Sequence, residues 1–468
     1  MKTGGRFGVT FVLMAAFAMQ AGADTLYLQA DKDLSLGGDI AGNTAADGSG
    51  SAVSKTKDAG GPPYTYDFSD VATGGGTPTT GGFVGGVDFQ SRKLYNTANS
   101  NNFTLDMGGN DLIGSSGVTN IFTYRGTGNT LFSANVAISN VGAVALGVID
   151  THTAGGNGSG ARSNAGNLTV GGLNAPAGAV RIDAVDTHAG NSSGGTVTTG
   201  AGGNVRIFGS GDVLIQNAAG TVRGDIRTHH WSAQKAGDIE VQHDGSFRAN
   251  DLLAFAVINW SSAKCSPGNV TCNGDVLGNN PSGTFEVHTV KATIESDYGF
   301  NPPDGILILL KGYTGALITG NIQTYVNDLS STAKAGSVTV SNITGNVTIM
   351  GSIDLNQVAS DALDGNLSLH CGGSITVSNL NLSKVLYAKF DPGVASYITG
   401  TITGTNGLAA TPDMVTSLRT PLNKYVFYNR ALNPGLNGQQ VPLKAINGTD
   451  AGGMLSPPIP QGTMVLQR

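Results

Sequence analysis

The chain has 468 residues, 71 of them glycine, and a formal net charge of −6. Only 12% of the residues are charged, about half the usual quarter, and nothing basic enough to form a nucleic-acid surface stands out. The 39% apolar fraction recurs with strict alternation, which excludes a disordered polar chain and points to short strands joined by tight turns.

The N-terminus reads as a secretory signal. Lys2 and Arg6 give a positive start, Phe7 to Met19 is mostly apolar, and Ala21-Gly22-Ala23 is a small-residue cleavage site before Asp24. The apolar run is too short to span a bilayer comfortably, and no later stretch reaches 18 apolar residues, so no transmembrane segment is expected. Cleavage after Ala23 would release a secreted or cell-surface protein. Residues 24–100 hold short alternating strands, Leu26-Tyr-Leu-Gln and Leu34-Ser-Leu, and a glycine-, serine- and proline-rich excursion. The strands are expected to cap the region that follows.

Residues 101–404 are organised by a repeat, Gly-x-Φ-x-Φ, where Φ is apolar. It occurs as Gly128-Asn-Thr-Leu-Phe, Gly166-Asn-Leu-Thr-Val, Gly203-Asn-Val-Arg-Ile and Gly237-Asp-Ile-Glu-Val, then at Gly283, Gly305, Gly336 and Gly365. The intervals run from 22 residues (Gly283 to Gly305) to 46 (Gly237 to Gly283). A glycine turn followed by period-2 alternation is a half-buried strand. Its return at solenoid-like intervals predicts a stack of similar coils. Each interval holds two more strands, such as Asp212-Val-Leu-Ile and Asp225-Ile-Arg-Thr. Three short strands per coil predict an all-β fold, a right-handed single-stranded parallel β-helix with N- and C-terminal caps. Residues 405–468 lose the pattern and are expected to form the C-terminal cap and tail, with a short helix from Thr411 and an aromatic strand, Tyr425-Val-Phe-Tyr428.

The third strand of each coil carries the reactive side chains. Val148-Ile-Asp-Thr-His152, Ala184-Val-Asp-Thr-His188 and Asp225-Ile-Arg-Thr-His229 align. Alternation puts Ile149, Val185 and Ile226 inside and leaves Asp150, Asp186 and Arg227 in one outward column. His152, His188 and His229 form the next. The first column is expected to continue with Asn259, Gln323 and Asp354, and the second with Tyr325 and Asn356. The longest loops follow this strand, at 153–165, 189–202, 231–236, 261–282, 326–335 and 357–364, and such loops wall off a groove. With Trp260 nearby, these residues are the candidate ligand contacts. Asp186, His188, Arg227 and His229 are the candidates for acid, base and charge-pairing roles should the groove be catalytic. The alternative is a solvated face repeated because the coils are duplicates. Three stacked histidines also raise a metal reading, which requires converging rotamers.

Three further features have two readings each. Glu240 and Glu286, beside Arg206, are either a glycosidase-type carboxylate pair or a surface ion pair with Arg206. Gly108-Gly-Asn-Asp-Leu-Ile-Gly114 looks like one calcium-binding nonapeptide, but such sites are completed by tandem copies and there is one. Cys265 and Cys272 lie close together in a loop of an exported chain, where a local disulfide is expected; a metal pair would need two further ligands.

Phrases such as Gly203-Asn-Val-Arg-Ile, Gly211-Asp-Val-Leu-Ile and Gly373-Ser-Ile-Thr-Val resemble secreted bacterial parallel β-helix surface proteins, the haemagglutinin-repeat adhesins and autotransporter passengers. The resemblance covers roughly 100–404 and implies an adhesive or structural role, with polysaccharide or cell-surface glycan as partner. The region after 385 is too short for a translocator barrel. The fold is also similar to that of polysaccharide lyases and polygalacturonases, whose residue patterns, Gly-His-Gly, Arg-Ile-Lys and a tight Asp-Asp pair, are missing here. The leading expectation is an exported adhesive or structural protein that binds glycans along the loop-bearing face. The alternatives are a polysaccharide lyase or glycosidase in the same groove, and a subunit that self-associates end to end into fibres.

Overall fold

In the computed structural model, the described residues are 135–153, 164–190, 201–231, 235–258, 266–278, 280–296, 307–324, 326–327, 336–355, 365–382, 387–404, 408–410, 418–421 and 424–436, with short strands at 27–30, 56–57, 64–67, 94–95, 103–106, 112–113, 121–122 and 443–446, and Gly109. They form a parallel β-helix. One fourteen-stranded sheet makes its first face. In stacking order its parallel strands include Phe103–Asp106, Val136–Ser139, Leu168–Val170, Val205–Phe208, Ile239–Gln242, Val270–Asn273, Leu307–Tyr313, Ser337–Ile343, Asn366–Cys371, Tyr387–Pro392 and Leu418–Arg419. A second sheet bends around the other two faces. Strands such as Val180–Asp186 and Val347–Asp354 run through the bend unbroken, while others, such as Val213–Ile215 and Ile226–Arg227, are interrupted there.

The N-terminal strand Tyr27–Ala30 lies antiparallel on Phe103–Asp106 and carries Tyr64–Asp67 on its other edge. It covers that edge of the first face. The signal-like segment lies outside the described residues, as do the Gly128 repeat, most of the nonapeptide with its calcium reading, and the expected helix at Thr411.

The core is a set of apolar columns. Val136, Leu168, Val205, Ile239, Val270, Ile308, Val338 and Leu367 stack on the first face, each at most 1% exposed. Alternation aims every second side chain inward, so each coil buries only what its neighbours cover. Removing one such side chain to alanine costs about 2–5 kcal/mol.

The second residue of the repeat explains the first corner. Asn135 Oδ1 accepts the backbone N–H of Asn167 at 2.8 Å, and Asn167 Oδ1 accepts that of Asn204 at 2.7 Å. Asn204, Asp238 and Asn269 continue the series onto Asp238, Asn269 and Leu307 at 2.8, 2.8 and 2.9 Å. The side chain thus satisfies a backbone donor that the turn leaves without a ladder partner.

That series corrects the register read from the sequence. Gly283 does not begin a first-face strand: Thr284–Val287 belongs to the second sheet and pairs with Gly315–Ile318. The first-face strand between Ile239–Gln242 and Leu307–Tyr313 is Val270–Asn273, introduced by Gly268-Asn-Val-Thr-Cys272. Part of the expected loop 261–282 is therefore a core strand. Cys272 is a free thiol, fully buried in the column between Val241 and Leu310. It is not one end of a loop disulfide; Cys265 lies outside the described residues. Glu240 and Glu286 fall on different faces. Glu240 pairs with Arg206 at 3.3 Å, while Glu286 takes Arg223 and Arg248, the latter at 3.0 Å. The carboxylate-pair reading fails on this placement. The parallel stacking also continues past 404: Val426–Asn429 pairs with Ser396–Ile398, and Leu443–Ile446 pairs with Val426–Asn429.

Candidate functional site

The third strands stack in the register expected from the sequence. Ile149, Val185 and Ile226 are register partners facing inward, and Asp150, Asp186 and Arg227 are partners facing outward. Beyond them the chain turns a corner held by a threonine. Thr151 Oγ1 donates to the Gly166 carbonyl at 2.5 Å, Thr187 to Gly203 at 2.6 Å, Thr228 to Gly237 at 2.6 Å and Thr324 to Gly336 at 3.2 Å. In return the Gly166, Gly203, Gly237 and Gly336 N–H groups donate to the same threonines' carbonyls at 2.9, 2.8, 2.8 and 3.2 Å. Each two-way bond closes the neck of a loop, whatever the loop's length. Two of these positions require glycine: a Cβ on Gly203 would lie 2.0 Å from the Gly166 oxygen, and one on Gly237 1.9 Å from the Gly203 oxygen.

The histidines sit on the loop side of this clamp. His152, His188 and His229 form a column of parallel rings, with centroids 4.8 and 4.7 Å apart and planes within 5°. Phe255 extends it at 4.6 Å, and the Lys291 ammonium lies 4.4 Å from the Phe255 ring centre. Such a contact between a cation and an aromatic face is attractive. Zinc–nitrogen bonds are about 2.0–2.1 Å, so two nitrogens on one ion lie at most about 4.2 Å apart. Parallel rings farther apart than this do not converge on a shared ion, and among the described residues no cluster of histidine, cysteine and carboxylates is arranged to hold a metal.

In the Asp150 and Asp186 coils the columns are joined. Asp150 Oδ1 accepts both the His152 Nδ1–H and, at 3.0 Å, the His152 backbone N–H. Asp186 Oδ1 accepts the His188 Nδ1–H at 2.5 Å and its backbone N–H at 3.2 Å. These four side chains are 13–22% exposed. Burial opposes charge on His152, but the bonded Asp150 carboxylate and the Asp186 charge outweigh it and raise the ring's pKa. Burial likewise opposes charge on Asp186, and the bonded His188 and nearby His152 reverse it, so this carboxyl titrates below its ordinary value.

The coil that follows them differs. Arg227 replaces the aspartate and turns to Asp225, donating from Nη2 at 2.6 Å and Nε at 3.0 Å. His229 is 8% exposed. Burial, then the neighbouring His188, pushes its pKa down to about 3, with Arg227 and His230 adding to the fall. Its ring is neutral and serves as a stacking element. Of the expected catalytic set, only Asp186 and His188 are joined.

The columns continue differently from expectation farther along. Asp251-Leu-Leu-Ala-Phe255 is the next third strand, and Leu253 and Lys291 occupy the places between Arg227 and Gln323. Asn259 therefore does not belong to the first column; it and Trp260 lie outside the described residues, as do Tyr325 and Asn356. Gln323 and Asp354 are register partners as read from the sequence. Phe255, Lys291 and the threonine clamp were missed. The signal for them was the alignment of Asp251-Leu-Leu-Ala-Phe255 with Asp225-Ile-Arg-Thr-His229. Beyond the histidine column, His230–Trp231, Ala256–Ile258, Ile294–Ser296 and Val326–Asn327 form a small parallel sheet at the bases of the later loops.

Among the described residues no helix is long and apolar enough to cross a membrane. Comparison with protein-family models, curated proteins and solved structures finds no match. The fold and the site define a class: a parallel β-helix bearing a ladder of carboxylate-bound imidazoles at the edge where its loops leave.

Proposed function

We propose that this chain is an exported surface or matrix protein whose loop-bearing edge binds glycan chains, in an adhesive or structural role. The observation that carries the reading is the repetition of one polar arrangement in register. Asp150–His152 and Asp186–His188 present the same pair of groups on successive coils. A ligand built of repeating units can meet such a ladder one unit at a time. Catalysis needs unlike groups gathered on one reacting atom. The signal-like N-terminus and the generic resemblance to secreted β-helix adhesins support export and surface location.

A polysaccharide lyase or glycosidase is the second reading. The Asp186–His188 bond favours it, since a carboxylate that fixes one imidazole nitrogen leaves the other placed as a base. The commitment of Arg227 to Asp225 and the burial of His229 weigh against it. The two readings separate on a panel of neutral and acidic polysaccharides, followed for both retention and new reducing ends or unsaturated products. Retention without cleavage is expected. Cleavage that disappears in His188→Ala would replace the adhesive reading with the enzymatic one. Concentration-dependent filaments in light scattering would favour the fibre-subunit reading.

A further inference from the structure

Over the Asp150 and Asp186 coils the loop-bearing edge offers hydrogen-bond acceptors. Asp150 and Asp186 are register partners on adjacent parallel strands, about 4.8 Å apart along the stack. Each spends Oδ1 on its own histidine. The Oδ2 atoms carry no hydrogen bond among the described residues. His188 gives its Nδ1–H to Asp186, so in the neutral ring Nε2 holds a lone pair. The next residue of the carboxylate column is the cation Arg227, and its guanidinium is held by Asp225 through two bonds. A ligand group that meets the two Oδ2 atoms must therefore donate.

Resting on the glycan reading above, we propose that the Asp150–Asp186 edge selects glycans whose groups donate, hydroxyl- or amine-bearing chains, and turns away chains bearing carboxylate or sulfate. A sugar hydroxyl or ammonium placed across the two coils gives a hydrogen to a carboxylate oxygen that is already partly withdrawn from water. A uronate there meets two like charges while the nearby Arg227 is held by Asp225, and both the repulsion and its lost hydration oppose binding.

The test uses the full mature chain and calorimetric titration at pH 7.5 and low salt. The probes are soluble oligomers of glucose, of glucosamine and of galacturonate. The expected result is that a glucose or glucosamine oligomer binds at least about tenfold more tightly than the galacturonate oligomer. In Asp150→Asn/Asp186→Asn each amide keeps an oxygen for its histidine and places an NH2 donor where Oδ2 stood, so the difference should fall to about threefold or less. Thermal melting checks that the double variant is folded; Asp186→Asn alone is the fallback and should narrow the gap in the same direction. Galacturonate binding as tightly as the others to the unaltered chain would overturn the selectivity and leave the glycan reading standing. An unchanged preference in the folded variants would do the same. Binding of no oligomer of any class would overturn both.

Discussion

Thr187 shows how much one residue contributes. Its hydroxyl is buried, donates to the Gly203 carbonyl at 2.6 Å, and closes a loop whose length the clamp does not sense. Valine has nearly the same shape and no hydroxyl. Thr187→Val is expected to lose about 1–2 kcal/mol in denaturant unfolding, while Thr169→Val, at an outward position of the first face, should change stability by less than about 0.5 kcal/mol. Equal effects at the two sites would remove the clamp from the account. His229 is the second case at this scale. Its native ring is neutral, with a pKa near 3, while the unfolded ring titrates near 6.5. Between these values the unfolded state binds the extra proton, so stability is full above about pH 6.5 and falls as the pH drops toward 3. His229→Phe would keep a ring between His188 and Phe255 in the stack and remove that proton. The variant's stability, followed by circular dichroism from pH 7 to 3, should therefore decline less steeply; a decline parallel to the parent's would show that His229 is not the titrating group. His243 adds to the same loss in both proteins, since burial lowers its pKa to about 4.

At the scale of the element, the strand register was legible wherever a polar phrase repeats. Asp-Thr-His recurs at 150–152 and 186–188, and Asp225-Ile-Arg-Thr-His229 keeps the spacing, so three coils aligned correctly. It was misread where the repeat's apolar places are filled unusually. Gly268-Asn-Val-Thr-Cys272 ends on cysteine, and beside Cys265 it suggested a disulfide. Gly283-Thr-Phe-Glu-Val then took its place, which produced the uneven intervals of 46 and 22 residues. Replacing Gly283 by Gly268 makes these 31 and 37, and Gly305 itself stands one residue early, because Ile308 and Leu310, not Leu307 and Leu309, face inward. The asparagine ladder gives the physical criterion that alternation alone lacks, because the corner needs an acceptor one residue before the strand. After 404 the coils continue without the glycine signature, so the sequence pattern ends before the stacking does. The glycines themselves make a sharp test. A Cβ on Gly237 would lie 1.9 Å from the Gly203 oxygen, whereas one on Gly172 meets nothing within 4 Å. Gly237→Ala should lose more than about 4 kcal/mol or fail to fold, and Gly172→Ala should stay within about 0.5 kcal/mol of the parent. Thermal or urea unfolding of the two variants side by side decides it, and a tolerated Gly237→Ala would contradict the coil packing described here.

For the whole molecule, the solenoid separates what holds it together from what it presents. The interior columns repeat through the described coils, the corner ladder runs from Asn135 to Leu307, and the threonine clamp recurs in four coils, with Ala254 and Leu355 among the residues in its place elsewhere. The outward columns change from coil to coil: aspartate with histidine at Asp150 and Asp186, arginine with a buried histidine in the next coil, then Leu253 with Phe255. The interior needs only volume and alternation, which is why the fold class could be read from composition and period. Outward chemistry is unconstrained by the stack, so the sequence placed the polar columns without indicating their role. The central claim is that glycans meet the Asp150–His152 and Asp186–His188 edge. Histidine nitrogen chemical shifts test it most directly, because the chain has only seven histidines, and His243 in the core and His370 on the first face serve as internal controls. Titration of the ring-15N-labelled chain with the tightest-binding neutral oligomer should move the His152 and His188 resonances and leave those of His243 and His370 in place. Binding that shifts His370 alone, or that leaves His152 and His188 unmoved, would contradict the account.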